Sequence, residues 1–169
     1  MQPRRGQAGW WRTKVRQLGS HLVARVAPQE LAQTAGWLTP AQRALFDHMH
    51  VADQRHGLDV VASLRAEGVE DRDVLLAGLL HDCGKGNAGV VSRIAFALGH
   101  AYGPWVPKLA SILPGVRPTL DRLSTHAETS AALAREAGCS ERTAELIRDQ
   151  DRPSDPEFGA LLKMADEAN

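Results

Sequence analysis

The stretch from Leu75 to Gly86, Leu-Leu-Ala-Gly-Leu-Leu-His-Asp-Cys-Gly-Lys-Gly, constrains the fold more than any other part of the chain. Leu75, Leu76, Leu79 and Leu80 fall on one helical stripe, so the segment is a helix whose apolar face belongs in a core. A buried helix that ends in an imidazole and a carboxylate must find partners for both inside the fold. A divalent metal ion is one such partner, which makes His81 and Asp82 candidate ligands.

Helical period dominates the rest of the chain, and no alternating run with hairpin signals stands out, so the expected class is all-α. Helices are predicted over residues 10–26, 28–31, 40–49, 52–66, 73–80, 87–101, 125–137, 140–149 and 154–166, with a weaker one near 108–113 among four prolines. Thr39, Pro40 and Gln42 spell an N-cap, a first-turn proline and a capping-box partner. Thr125 with Glu128 spells a second box, and Gly68 and Gly138 are read as helix stops. A chain of 169 residues supports one compact helical unit. Residues 1–51 are read as an N-terminal helical extension packed on a core formed by residues 52–169.

Lys and Arg number 20 and Asp and Glu 20, so the charge balance lacks the footprint of nucleic-acid binding, and no specific nucleic-acid partner is expected. Cys83 and Cys139 make no disulfide framework, and Met1 is not followed by a signal-type apolar region, so a cytoplasmic protein is expected. The charge-free segment 94–107 is 14 residues long and broken by glycines and prolines, too short to span a bilayer. The basic N-terminus, with Arg4, Arg5, Arg12, Lys14 and Arg16 beside Trp10 and Trp11, reads first as the solvated face and anchor of a helix, and second as a contact for an anionic surface.

A hydrolytic metal site needs several ligands with positions left open for water and substrate. His56 precedes His81 by 25 residues, enough for one helix to end, turn and bring the next back beside it. Asp166, in Leu162-Lys163-Met164-Ala165-Asp166, closes an otherwise apolar helical face with a carboxylate that calls for a partner.

His56 in Arg55-His56-Gly57, His81-Asp82 in Leu80-His81-Asp82-Cys83-Gly84-Lys85, and the distant Asp166 together resemble the HD-domain metal-dependent phosphohydrolases across residues 52–168. That resemblance implies a helical bundle around a divalent metal held by His56, His81, Asp82 and Asp166, with a nucleotide or other small-molecule phosphate ester as substrate. In such a site Asp82, Lys85 and His126 are the expected catalytic set on physical grounds: Asp82 or Asp166 orients water, Lys85 faces the developing phosphoryl charge, and His126 binds phosphate or protonates the leaving group. Where relatives with a second metal carry another histidine, this chain has Gln150, flanked by Asp149 and Asp151, which favours one ion. Two imidazoles and two carboxylates suit Mn, Fe, Co, Ni or Zn better than Mg. The Gly-Tyr-Pro element of the cyclic-dinucleotide phosphodiesterase branch is absent. Two alternatives stand beside the enzyme: a degenerate metal- or nucleotide-binding regulatory domain without turnover, and a helical interaction module in which the Trp10-Trp11 arm and segment 94–113 dock a partner or a membrane surface.

Overall fold

The structure, a computed structural model, describes residues 25–86 and 88–169. Among them lie ten α-helices and no strand: α1 (Pro28–Ala35), α2 (Pro40–His48), α3 (Val51–Ala66), α4 (Arg72–Leu80), α5 (Val90–Tyr102), α6 (Trp105–Ala110), α7 (Val116–Ser124), α8 (His126–Glu136), α9 (Glu141–Arg148) and α10 (Gly159–Ala168). A single 3-10 turn, Cys83–Lys85, follows α4. The helix predicted over residues 10–26 lies outside the described residues except for Arg25 and Val26, and neither of these is helical. No helix among the described residues is long and apolar enough to cross a membrane.

Helix α4 is the centre of the bundle. Every residue from Val74 to Leu80 is buried, and Leu76, Leu79 and Leu80 are 0% exposed. Each such leucine taken from water contributes roughly 1.5–3 kcal/mol. The helix starts at Asp71, whose side chain accepts from the Asp73 and Val74 amides, and packs against α3, α9, α10 and α2. The resulting core joins Phe46 and Met49 to Val60, Leu64, Ala131, Ile147 and Leu162. Phe46, in the last turn of α2, is buried in this core, and Leu31, Trp37 and Leu38 pack against it.

A satellite cluster lies beyond the 3-10 turn, where Ala95, Val116 and Leu120, with Phe96 and Ala110, hold α5, α6 and α7 together. Here the structure departs from the sequence reading. Helix α7 was not expected across Pro118, yet proline falls in its first turn, where its missing N–H needs no partner. The box predicted at Thr125 and Glu128 does not form, because the Thr125 hydroxyl turns back to the Asp121 carbonyl at the end of α7. Helix α10 begins at Gly159, five residues later than predicted, since Asp155 Oδ1 accepts from the Glu157 and Phe158 amides and holds that segment in a turn.

Candidate metal centre

Three helix positions converge on one point. His56 lies on α3, His81 caps the C-terminus of α4 with helical backbone angles, and Asp166 lies on α10. His56 Nε2 is 2.7 Å from Asp166 Oδ1, and His81 Nε2 is 3.2 Å from the same oxygen. The two imidazole rings meet edge to face with centroids 5.1 Å apart. One ligand atom from each of the three residues falls within 4.8 Å of the other two.

This convergence depends on Gly57. A Cβ there would sit 2.4 Å from the Leu79 carbonyl oxygen, so α3 and α4 run closer at this level than any other residue would allow. The glycine next to His56 is therefore what brings the first imidazole to the second. In the sequence Gly57 is only an isolated glycine inside a helical pattern, a residue that costs helix stability there and does not name the helix it packs against.

Beyond His81 the chain tightens into the 3-10 turn and leaves it at Gly86, whose φ of +58° suits glycine. The turn seats on the first turns of α8. Gly84 N–H donates to Ser130 Oγ at 2.8 Å, and a Cβ on Gly84 would lie 2.6 Å from the His126 carbonyl oxygen. That seating brings His126 Nε2 to 3.6 Å from Asp82 Oδ1, while Lys85 Nζ reaches back to Asp82 Oδ2 at 2.5 Å. Cys83 packs as a small apolar residue, its Sγ directed at the Ser130 carbonyl, and burial pushes its thiol up to about 12.

All six residues singled out from the sequence, His56, His81, Asp82, Lys85, His126 and Asp166, therefore form one connected cluster. His81 and Asp82 are its floor, with side chains 4% and 2% exposed, while the 38% exposed Asp166 side chain opens one flank to solvent. Burial favours the neutral His81, but the Asp82 and Asp166 carboxylates overcome it and raise the group to about 9. Burial likewise opposes ionisation of Asp82 and Asp166, yet His81 and Lys85 hold Asp82, and His56 and His81 hold Asp166, well below the usual carboxylate range. Burial also pushes Lys85 down, but the carboxylates of Asp82 and Asp53 raise it above its ordinary value.

The hydrogen-bond pattern fixes the ring orientations. His81 Nδ1 donates to the Gly78 carbonyl at 3.0 Å and His126 Nδ1 to the Leu123 carbonyl at 2.7 Å, so each ring turns Nε2 toward Asp82. Burial lowers the His126 pKa, consistent with a neutral ring. Its Nε2 accepts from the Gln150 amide at 3.1 Å. Asp149 is committed to Arg148 and Ser154, and Asp151 is exposed, so Gln150 alone of these three residues meets His126.

A divalent ion fits this donor set. Asp82 Oδ1 is buried and has no hydrogen-bond partner, which is costly for a carboxylate oxygen unless a cation completes it. Ligands at about 2.0–2.2 Å from one ion lie about 3–3.5 Å from each other; the 3.2 Å between His81 Nε2 and Asp166 Oδ1 meets that spacing. The 2.7 Å between His56 and Asp166 is a hydrogen bond, which coordination of an ion would have to replace.

Around this set lie Asp53 and His50, which precede His56 in the sequence and so are its expected supports, and Arg93, which the residue pattern did not announce. Asp53, 1% exposed, takes both guanidinium nitrogens of Arg93 at 2.7 Å, which ties α3 to α5. His50 is the N-cap of α3, its Nδ1 accepting from the Ala52 amide.

Compared with protein families, with curated proteins and with solved structures, the chain matches none. The functional reading therefore stands on the residues and their geometry.

Proposed function

We propose that this chain is a metal-dependent phosphohydrolase with a bundle of the HD type, acting in the cytoplasm on a nucleotide or other small-molecule phosphate ester. The observation that carries the reading is the meeting of His56 Nε2, His81 Nε2 and Asp166 Oδ1 within 4.8 Å, from three helices remote in sequence. The orphaned Asp82 Oδ1 beside them supports a fourth ligand.

His56, His81, Asp82 and Asp166 would hold one divalent ion, of Mn, Fe, Co, Ni or Zn type in preference to Mg, and when bound it would supply Lewis-acid polarisation of a phosphoryl oxygen and a water acidified toward neutral pH. The chain's own groups do the rest. Lys85, held against Asp82 Oδ2, sets a fixed positive charge beside the point where phosphoryl charge develops. His126 turns an unprotonated Nε2 toward the other side of Asp82, and once released from the Gln150 amide it takes a proton from attacking water and passes it to the leaving oxygen. The balance is that of ester hydrolysis: water adds to phosphorus, the P–O ester bond breaks, and the proton removed from water ends on the alcohol.

The test is phosphate release from a broad panel of nucleotides, phosphomonoesters and phosphodiesters by the full chain loaded with Mn(II) or Co(II), beside His81→Ala and Asp82→Asn. Hydrolysis by wild type and its loss in both variants is expected. A metal-loaded protein that leaves the whole panel intact favours the second reading, a regulatory domain that binds without turnover. The bond from Gln150 to His126 supports that reading, because it occupies the lone pair on which proton transfer relies.

A further inference from the structure

Helix α6 carries its apolar face outward. Trp105, Lys108, Leu109 and Ile112 recur at intervals of three and four and so share one face of the helix and the turn that follows it. That face is exposed, with Trp105 at 60%, Leu109 at 61% and Ile112 at 76%, and Leu113 beside it at 52%. The opposite side, Val106, Pro107 and Ala110, is the half-buried one, packed toward α5 and α7. A lone exposed leucine needs no explanation, but six of the eight large exposed hydrophobic residues among those described lie between Val91 and Leu113.

The charge around this face selects its partner. From Ala88 to Ser124 the chain has Arg93, Lys108, Arg117 and Arg122 against one acid, Asp121. Arg93 is taken by Asp53, but Lys108, Arg117 and Arg122 are exposed and form no ion pair with a described residue. Residues 1–25 add Arg4, Arg5, Arg12, Lys14, Arg16 and Arg25 with no acid. The N-terminal segment thus carries the same sign as the α6 region and is a poor cover for it. A second copy packed by two-fold symmetry would set Lys108 near Lys108, which is unfavourable for the same reason. A surface rich in negative charge suits both regions at once. Trp105 is the residue type that settles at headgroup level, Leu109, Ile112 and Leu113 fit the acyl boundary, and each cation near such a surface strengthens binding about fivefold.

We propose that the exposed face of α6, from Trp105 to Leu113, docks the protein on an anionic phospholipid surface, with Lys108 and Arg117 as its cationic rim. This surface role is independent of the metal centre.

The test is co-sedimentation of the full chain with vesicles of phosphatidylcholine alone and of phosphatidylcholine mixed with phosphatidylglycerol, read together with the tryptophan emission maximum. Binding to the mixed vesicles, weak binding to the neutral ones, and weakening with added salt are expected. Leu109→Glu and Ile112→Glu replace exposed residues and so leave the fold intact, as far-UV circular dichroism will check. Each is expected to lower the partition onto mixed vesicles at least about tenfold. Absence of binding to mixed vesicles, equal binding to both kinds, or undiminished binding by both variants each overturns the proposal. So does a dimer in sedimentation equilibrium that these substitutions abolish, since that outcome assigns the face to a second copy.

Discussion

Replacing Gly57 by alanine tests whether helix proximity builds the metal centre. The added Cβ would lie 2.4 Å from the Leu79 carbonyl oxygen and 3.2 Å from its carbon, both backbone atoms that no rotamer change can move aside. Ordinary contact begins near 3.4 Å, so α3 and α4 must separate by about 1 Å at this level. Overpacking of this kind costs about 1–3 kcal/mol, offset by about 1 kcal/mol because alanine favours the helix more than glycine does. The net loss of stability is therefore small, about 0–2 kcal/mol. The site suffers more, because His56 is the adjacent residue and moves away from His81 and Asp166. Displacing a ligand's support typically costs 10–100-fold in metal affinity, and a loss of about that size is expected in calorimetric titration with Mn(II) or Co(II). Gly78→Ala is the matched control: it adds the same methyl between the same helices, but against the movable ends of Leu64 and Val60, and should keep affinity near wild type. If Gly57→Ala binds metal within twofold of wild type, the close approach of α3 and α4 does not set the site.

Arg93→Met leaves the buried Asp53 carboxylate unpaired and should cost about 3–5 kcal/mol in urea denaturation, with Asp53→Leu added on top restoring most of it; a single-variant cost under about 1 kcal/mol would contradict the pairing. Asp71 is opposed by burial, but Arg142 and the Val74 and Asp73 amides hold its carboxyl below the ordinary 3.8. Its contribution is thus fully present above that pH and fades as the pH falls through the lower folded value. Asp71→Ala should therefore cost about 1 kcal/mol at neutral pH and progressively less in acid; a cost that grows on acidification would reverse the sign worked here. The Cys83 thiol, pushed up to about 12 by burial, should resist a thiol reagent in the native chain at pH 8 and react only once the chain is unfolded.

Where structure is set by neighbours in sequence, the residues alone were legible. Thr39, Pro40 and Gln42 form the box their order predicts, with Gln42 N–H on Thr39 Oγ1 and Thr39 N–H on Gln42 Oε1. Helix α3 ends at Ala66, and Gly68 follows with a φ of +82°. The leucine run before His81 is the buried helix its pattern requires. Where tertiary contacts decide, the same signals misled. Thr125 has the right partner three residues on, but its hydroxyl finds the end of α7 first. No helix is read from the sequence around Pro118, yet it is a first-turn residue of α7. The site divides the same way. Its charged members were visible as types in a spacing, whereas Gly57, and the Arg93 guanidinium that fastens Asp53, act through distances between helices that no local pattern encodes.

The central claim is that His56, His81, Asp82 and Asp166 hold one divalent ion, and metal analysis of the full chain tests it most directly. The protein, saturated with Mn(II), Co(II) or Zn(II) and freed of excess ion, should retain a single equivalent, while His81→Ala and Asp166→Asn, folded by circular dichroism, should retain almost none. Wild type and both variants carrying the same metal content, whether none or one equivalent, would contradict it.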